Sequence, residues 1–232
     1  MSAKSSRPVI VELFTSEGCS DCPPADAVLS RLAATQPVVG AEVIILSQHV
    51  DYWNYLGWKD PFSQSTFSDR QNSYTKSFAL AGPYTPQMVV DGRSEFVGSD
   101  WDRAIRSIDE ASRRPKIPID LVAVEHANGE LVLGVEAPVC PVSLELVLAI
   151  SEDHAQSSVT RGENAGRQLE HTGVVVRLQK LATIPNGQKH RESLVLDIGT
   201  ARLAHGLHAV VFLQKPHQGL ILGAASVKIR RE

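Results

Sequence analysis

Nowhere in the 232 residues does an apolar run approach the length needed for a membrane-spanning helix, which is roughly 20 residues. Basic residues are not in excess either. The 23 Lys and Arg stand against 26 Asp and Glu, a formal charge of −3, with no long basic tract. That balance offers no electrostatic footing for nucleic acid or a membrane surface, so no partner of either kind is expected. Cysteine is scarce, with three in all, which excludes a small scaffold stapled by disulfides. There is no internal repeat and no low-complexity tract, and 43% hydrophobic with 21% charged residues is ordinary globular composition. Met1 to Pro8 carries basic and polar residues with no apolar segment, so as it stands it is no signal peptide. The expectation is a cytoplasmic protein as written, or a periplasmic one if a leader has been removed.

Against these absences one stretch stands out, Gly18-Cys19-Ser20-Asp21-Cys22-Pro23-Pro24. It follows the apolar run Val9 to Phe14 and precedes a helical pattern that continues to about Thr35. Strand, turn, two cysteines, helix: that order puts a dithiol at a helix N-terminus, where unpaired N–H groups and the macrodipole stabilise a thiolate. Pro23 and Pro24 are acceptable there because N–H groups of the first turn have no helical partner. Ala41 to Val50 reads as a second buried strand, parallel to the first across a βαβ unit.

Tyr52, Trp53, Tyr55 and Trp58 crowd the loop that follows, and a helix-compatible stretch runs from Phe62 to Leu80. The aromatics either fill gaps in a small core or form an apolar wall for substrate at the C-terminal end of a parallel strand. Thr85-Pro86 then opens a short strand, Asp91-Gly92 turns a hairpin, and Ser99-Asp100 caps a helix from Trp101 to about Arg114. Pro115 to Pro118 reads as a linker. Beyond it, apolar or alternating runs at Ile119–Val124, Leu131–Glu136, Val142–Ile150, Val174–Leu178, Ser193–Ile198, His208–Leu213 and Leu220–Ile229 alternate with turn signals such as Asn128-Gly129. The expected organisation is an α/β domain over residues 1–114 and an all-β sandwich or partial barrel over residues 115–232.

The β-α-β-α-β-β-α order, with Cys19-x-x-Cys22 after the first strand and Thr85-Pro86 before the third, resembles the thioredoxin-like superfamily. More narrowly, Val11 to Asp26, His49 to Trp53, Gly57 to Pro61 and Arg161 to Arg167 resemble the bacterial "domain of unknown function 1223" family. The resemblance implies that Pro86 is a cis-proline beside the dithiol, Cys19 the nucleophile and Cys22 the resolving thiol. Trp53 and Trp58, in the aromatic loop, and Thr85, next to Pro86, are the candidates for substrate contact. Glu12, a carboxylate inside an apolar strand, shares a face with Ile10 and Phe14. It is a candidate proton acceptor for the resolving thiol, or else an ion-pair partner.

Redox exchange needs no cofactor beyond the dithiol itself. The expected partner is a protein or small-molecule thiol or disulfide. Other chemistries stay open at this point: a structural disulfide, a binding module without turnover, or a soft-metal site for copper using Cys19, Cys22 and His49 or Cys140. A zinc site is disfavoured because no second closely spaced ligand pair exists. Asp21 beside Cys19 opposes thiolate formation, which points to a reductase or isomerase-like role. The segment Arg161 to Arg167, with His171 after it, is either a loop closed by its own ion pairs or a cover for the dithiol.

Overall fold

The computed structural model describes residues 6–125, 130–197 and 206–231. The expected turn at Asn128-Gly129 and the segment from 198 to 205 lie outside them. The first part runs β1 (Arg7–Thr15), α1 (Pro23–Thr35), β2 (Ala41–His49), α2 (Ser65–Ser77), β3 (Gln87–Val90), β4 (Ser94–Val97) and α3 (Trp101–Ser112). This is the order expected from sequence. β1 pairs parallel with β2 and antiparallel with β3, and β3 pairs antiparallel with β4. Asp100 caps α3 by accepting the Arg103 N–H at 2.9 Å.

Alternation along β1 divides the core. Val9, Val11 and Leu13 pack with Leu29 and Leu32 of α1 and with Ala104 and Ile108 of α3. Ile10 packs instead with Phe67 of α2, and Phe14 with Tyr74 of α2. Helices therefore cover both faces of this part of the sheet, which is why β1 is apolar nearly throughout.

The later strands are β5 (Asp120–Glu125), β6 (Glu130–Ala137), β7 (Leu144–Ser158), β8 (Gln168–Ile184), β9 (His190–Asp197), β10 (Leu207–Gln214), β11 (Ile221–Lys228) and β12 (Arg230–Arg231). The sandwich or partial barrel expected from residue 115 onward takes a different form, because its strands are shared between two sheets. β12-β5-β6-β9 form a small sheet, while β11-β10-β7-β8 continue the first one into an eight-stranded sheet ordered β11-β10-β7-β8-β2-β1-β3-β4. The join is a parallel pairing of Ser47 with Val174, at which β8 covers the edge of β2 that would otherwise present unpaired backbone groups. The sheet thus runs through the boundary expected between residues 114 and 115.

Register shifts at Leu146/Val147 and Ile150/Ser151 bend the long β7–β8 pair. The small sheet packs on one face of β7 and β10 through Leu131, Leu133, Leu146 and Val211. On the other face the sheet curls back on itself. Ile221 at the head of β11 donates its N–H to the Asp91 carbonyl at 2.8 Å, and Ile10, Phe67, Val175 and Phe212 share one core.

Glu12 lies inside this core, fully buried. Its carboxylate accepts two hydrogen bonds from Arg70 (2.6 and 3.0 Å), one from Tyr74 (2.5 Å) and one from Gln48 (2.7 Å). Removing one member of such a pair strands a buried charge, whereas replacing both is mild. Arg70→Met should therefore lower unfolding free energy in urea by about 3–5 kcal/mol, and Arg70→Met combined with Glu12→Gln should recover most of the loss.

Candidate functional site

The end of β1 folds tightly. Ser16 accepts the Gly18 N–H on its hydroxyl at 3.1 Å and the Cys19 N–H on its carbonyl at 3.2 Å. Gly18 lies against Trp53, whose Cβ would stand 3.1 Å from a side chain at that position. Cys22 caps α1, with Pro23 opening the helix and the Ala25 and Asp26 N–H groups donating to the Cys22 carbonyl. Cys19 and Cys22 form a disulfide across this turn, with Cα atoms 5.5 Å apart. Neither is open to solvent: Cys19 is 2% exposed and Cys22 fully buried.

Residues 159–167, between β7 and β8, lie across the turn. The Asn164 side-chain amide donates to the carbonyls of Glu17 and Cys19, both at 2.9 Å, and Asn164 is itself buried. Glu163 accepts the Ser20 N–H, inside the Cys-x-x-Cys turn, at 2.9 Å. Arg167 holds the Asn164 carbonyl oxygen of the side chain at 2.8 Å, and Gly162 packs against Trp58. The segment is thus a strap over the disulfide. It closes on itself through hydrogen bonds, from Arg167 to Asn164 and from Val159 to Arg167, and it grips the turn as well.

Behind the turn lies a buried cluster of acids and imidazoles. Glu17 accepts from the Trp58 indole at 2.7 Å and from the Ser157 hydroxyl, and its Oε1 lies 3.2 Å from His171 Nε2. His49 Nδ1 is 2.7 Å from Asp60. Burial works to raise the Asp60 acid, but His49 and the N–H groups of Glu17 and Phe62 outweigh it and hold Asp60 below the usual carboxylate range. Asp26 is different. Burial pushes it up to about 7, with His171 and the Thr15 hydroxyl pulling it back only in part. Asp26 stands one helical turn after Cys22, the spacing that puts two side chains on the same helix face.

The other residues singled out from sequence fall into place around this turn. The Thr85-Pro86 bond is cis. Trp53 donates its indole N–H to the Thr85 hydroxyl at 2.8 Å, linking the wall behind Gly18 to that bond. Pro86 is buried, and Gly98 stands between Pro86, Leu13 and Ala25, where a Cβ would meet all three. Trp53 and Trp58 are half-buried and spend both indole N–H groups internally, while Tyr55 is 81% exposed. Glu12 sits on the face of β1 turned away from α1, engaged by Arg70, Tyr74 and Gln48. Among the described residues no group of three or more His, Cys, Asp or Glu is placed to hold a metal ion. Cys140 is buried in the core between the two sheets, and burial pushes its thiol up.

Sequence reasoning passed over Asp26, Glu17 and Asp60, and singled out Asn164 only as part of the segment Arg161 to Arg167. Of the first three, Asp26 alone carried a signal. It is a charged residue on the apolar stripe Cys22, Ala25, Leu29, Leu32 of α1, all of them buried.

A family model described as "Protein of unknown function (DUF1223)" matches residues 10–214, and the chain belongs to that family. The fold is similar to the X-ray crystal structure of an Agrobacterium tumefaciens protein solved as a structural-genomics target. The two are 25% identical with a TM-score of 0.77, over 97% of this chain and 96% of that one. None of the curated proteins matches.

Two outcomes follow from this geometry. Asn164→Ala frees two turn carbonyls from the strap, so dithiothreitol should reduce Cys19–Cys22 faster than in the parent chain, as read by quenched thiol alkylation. Asp26 is protonated in both folded and unfolded chains below pH 4. Between its ordinary value of 3.8 and about 7 only the unfolded chain ionises, so this group's contribution to stability falls as pH rises and levels off above 7. Asp26→Asn escapes that loss. Its gain in unfolding free energy at pH 8 should exceed its gain at pH 5 by about 2–3 kcal/mol.

Proposed function

We propose that the chain is a thiol–disulfide oxidoreductase of thioredoxin-like fold, working in the reductase or isomerase direction. The observation that carries this reading is the Cys19–Cys22 disulfide at the N-terminus of α1, directly beyond the C-terminal end of β1. The cis Thr85-Pro86 bond, tied through Trp53 to the same turn, supports it.

Cys19 is the attacking sulfur, since it stands outside the helix, and Cys22, at the cap, resolves the mixed disulfide. The proton of Cys22 goes to a carboxylate. Asp26 meets that requirement better than Glu12, whose oxygens are spent on Arg70, Tyr74 and Gln48. An acid that titrates near neutrality, as Asp26 does, is matched to taking and returning a proton at working pH. Thr85, Trp53 and Trp58 border the turn and are the groups a docking thiol or disulfide substrate would touch. The strap from the β7–β8 connection gives the second half of the chain a role in admitting that substrate.

Direction follows from charge. The exposed carboxylates of Asp21 and Glu163 stand at the turn, and Glu163 occupies an N–H group within it. Both disfavour a Cys19 thiolate, which makes the reduced form less favourable and the pair a weaker oxidant.

The test is insulin reduction with dithiothreitol as electron donor. Turnover should disappear in Cys19→Ser, and the potential against glutathione should fall toward about −270 mV and away from about −120 mV. An inert parent chain, or a potential at the oxidising end, removes the reading.

A further inference from the structure

Cys22 is fully buried and Asp26 nearly so, with Asp26 Oδ1 shut off from solvent, so a proton passed to that oxygen needs a protein group to carry it onward. Three buried atoms around Asp26 lack any hydrogen-bond partner: its own Oδ1, Thr15 Oγ1 and His171 Nδ1. Buried polar groups without partners are rare and costly, and they concentrate where function needs them. His171 Nδ1 lies 3.7 Å from Asp26 Oδ2, and on the far side of the ring His171 Nε2 lies 3.2 Å from Glu17 Oε1. A carboxylate can only accept, so the Glu17 contact puts the ring proton on Nε2 and leaves Nδ1 as a free acceptor facing Asp26.

We infer that His171, carried on β8, is a positioning residue that moves the resolving-step proton from Asp26 to Glu17. The inference deepens the oxidoreductase reading above and rests on it. In the mixed disulfide, the Cys22 thiol gives its proton to the Asp26 carboxylate. The Cys22 thiolate then attacks Cys19 Sγ, the Cys19–Cys22 bond forms, and the bond from Cys19 to the substrate sulfur breaks with its electron pair leaving on that sulfur. The substrate thiolate takes a proton from solvent. Asp26 hands its proton to His171 Nδ1 as Nε2 releases one to Glu17. Glu17 touches the half-buried Trp58 and Ser157, and through Ser157 the proton reaches solvent.

The neighbours leave this route open. Asp26 faces Thr15 of β1, Glu17, Asp60 and His171. Asp60 is taken up by His49 and by the N–H groups of Glu17 and Phe62. His49 and Phe62 meet the His171 ring edge to face, at 4.6 and 5.6 Å between centroids, and fix its orientation without bonding Nδ1.

Glutathione disulfide is the probe, with the two steps read separately in the full chain. Formation of the Cys19–glutathione mixed disulfide is followed in Cys22→Ala backgrounds, and its resolution in chains that keep Cys22. His171→Gln should leave the first step unchanged and slow the second about 100-fold. It should also shift the Asp26 carboxyl midpoint in an NMR titration, because the imidazole faces that carboxyl at 3.7 Å. Glu17→Gln should slow the second step in the same way, and it carries the test if His171→Gln does not fold. A parent chain that never exchanges with glutathione disulfide overturns the oxidoreductase reading itself. A parent chain that exchanges, with a folded variant of either kind that resolves at the parent rate, overturns the relay alone.

Discussion

Asn164 donates from one side-chain amide to two backbone carbonyls, those of Glu17 and Cys19, and the architecture of the site depends on that bridge. The turn carrying the cysteines comes from the first strand and helix, while the amide comes from the β7–β8 connection, some 145 residues further along. A carbonyl buried without a donor costs about 1–3 kcal/mol. The bridge meets that requirement at two carbonyls together, and in doing so it closes the strap over the disulfide. The pairing of β8 with β2 sets where the strap can land, because it delivers His171 and the 159–167 segment to the end of the sheet where β1 stops.

Two buried carboxylates near the start of the chain have opposite fates, and the difference is one of partners. Glu12 meets a guanidinium, a phenol and an amide, so its charge is compensated inside the core and serves to join β1 to α2 and β10. Asp26 meets one imidazole at a distance too long for a hydrogen bond and two like charges, Glu17 and Asp60, and burial lifts it toward neutrality. The first arrangement holds structure together. The second leaves an acid that titrates near neutrality one helical turn from Cys22.

Much of this was legible in the residues. The β-α-β-α-β-β-α order followed from apolar runs, the helix pattern after Cys22, the Asp91-Gly92 turn and the Asp100 cap, all of them local signals. The side of β1 on which Glu12 lies followed from alternation alone, since successive strand side chains point to opposite faces. The later strands were legible as strands, yet their grouping was not. Which edge a strand covers depends on which backbone groups elsewhere lack partners, and no stretch of sequence records that.

The chain by itself determined the position of the dithiol: an apolar strand, two cysteines three apart, prolines, and a helical stripe put it at the N-terminus of α1. Those are properties of neighbours in sequence, fixed by periodicity and by the unpaired N–H groups of a first helical turn. Only the tertiary structure decided what surrounds it. The strap at Glu163 and Asn164, the acids Glu17 and Asp60, and the imidazoles of His49 and His171 reach the turn by sheet pairing and long-range packing. Their effect on it, through burial, field and hydrogen bonding, depends on distances that arise only once the eight-stranded sheet has closed around them.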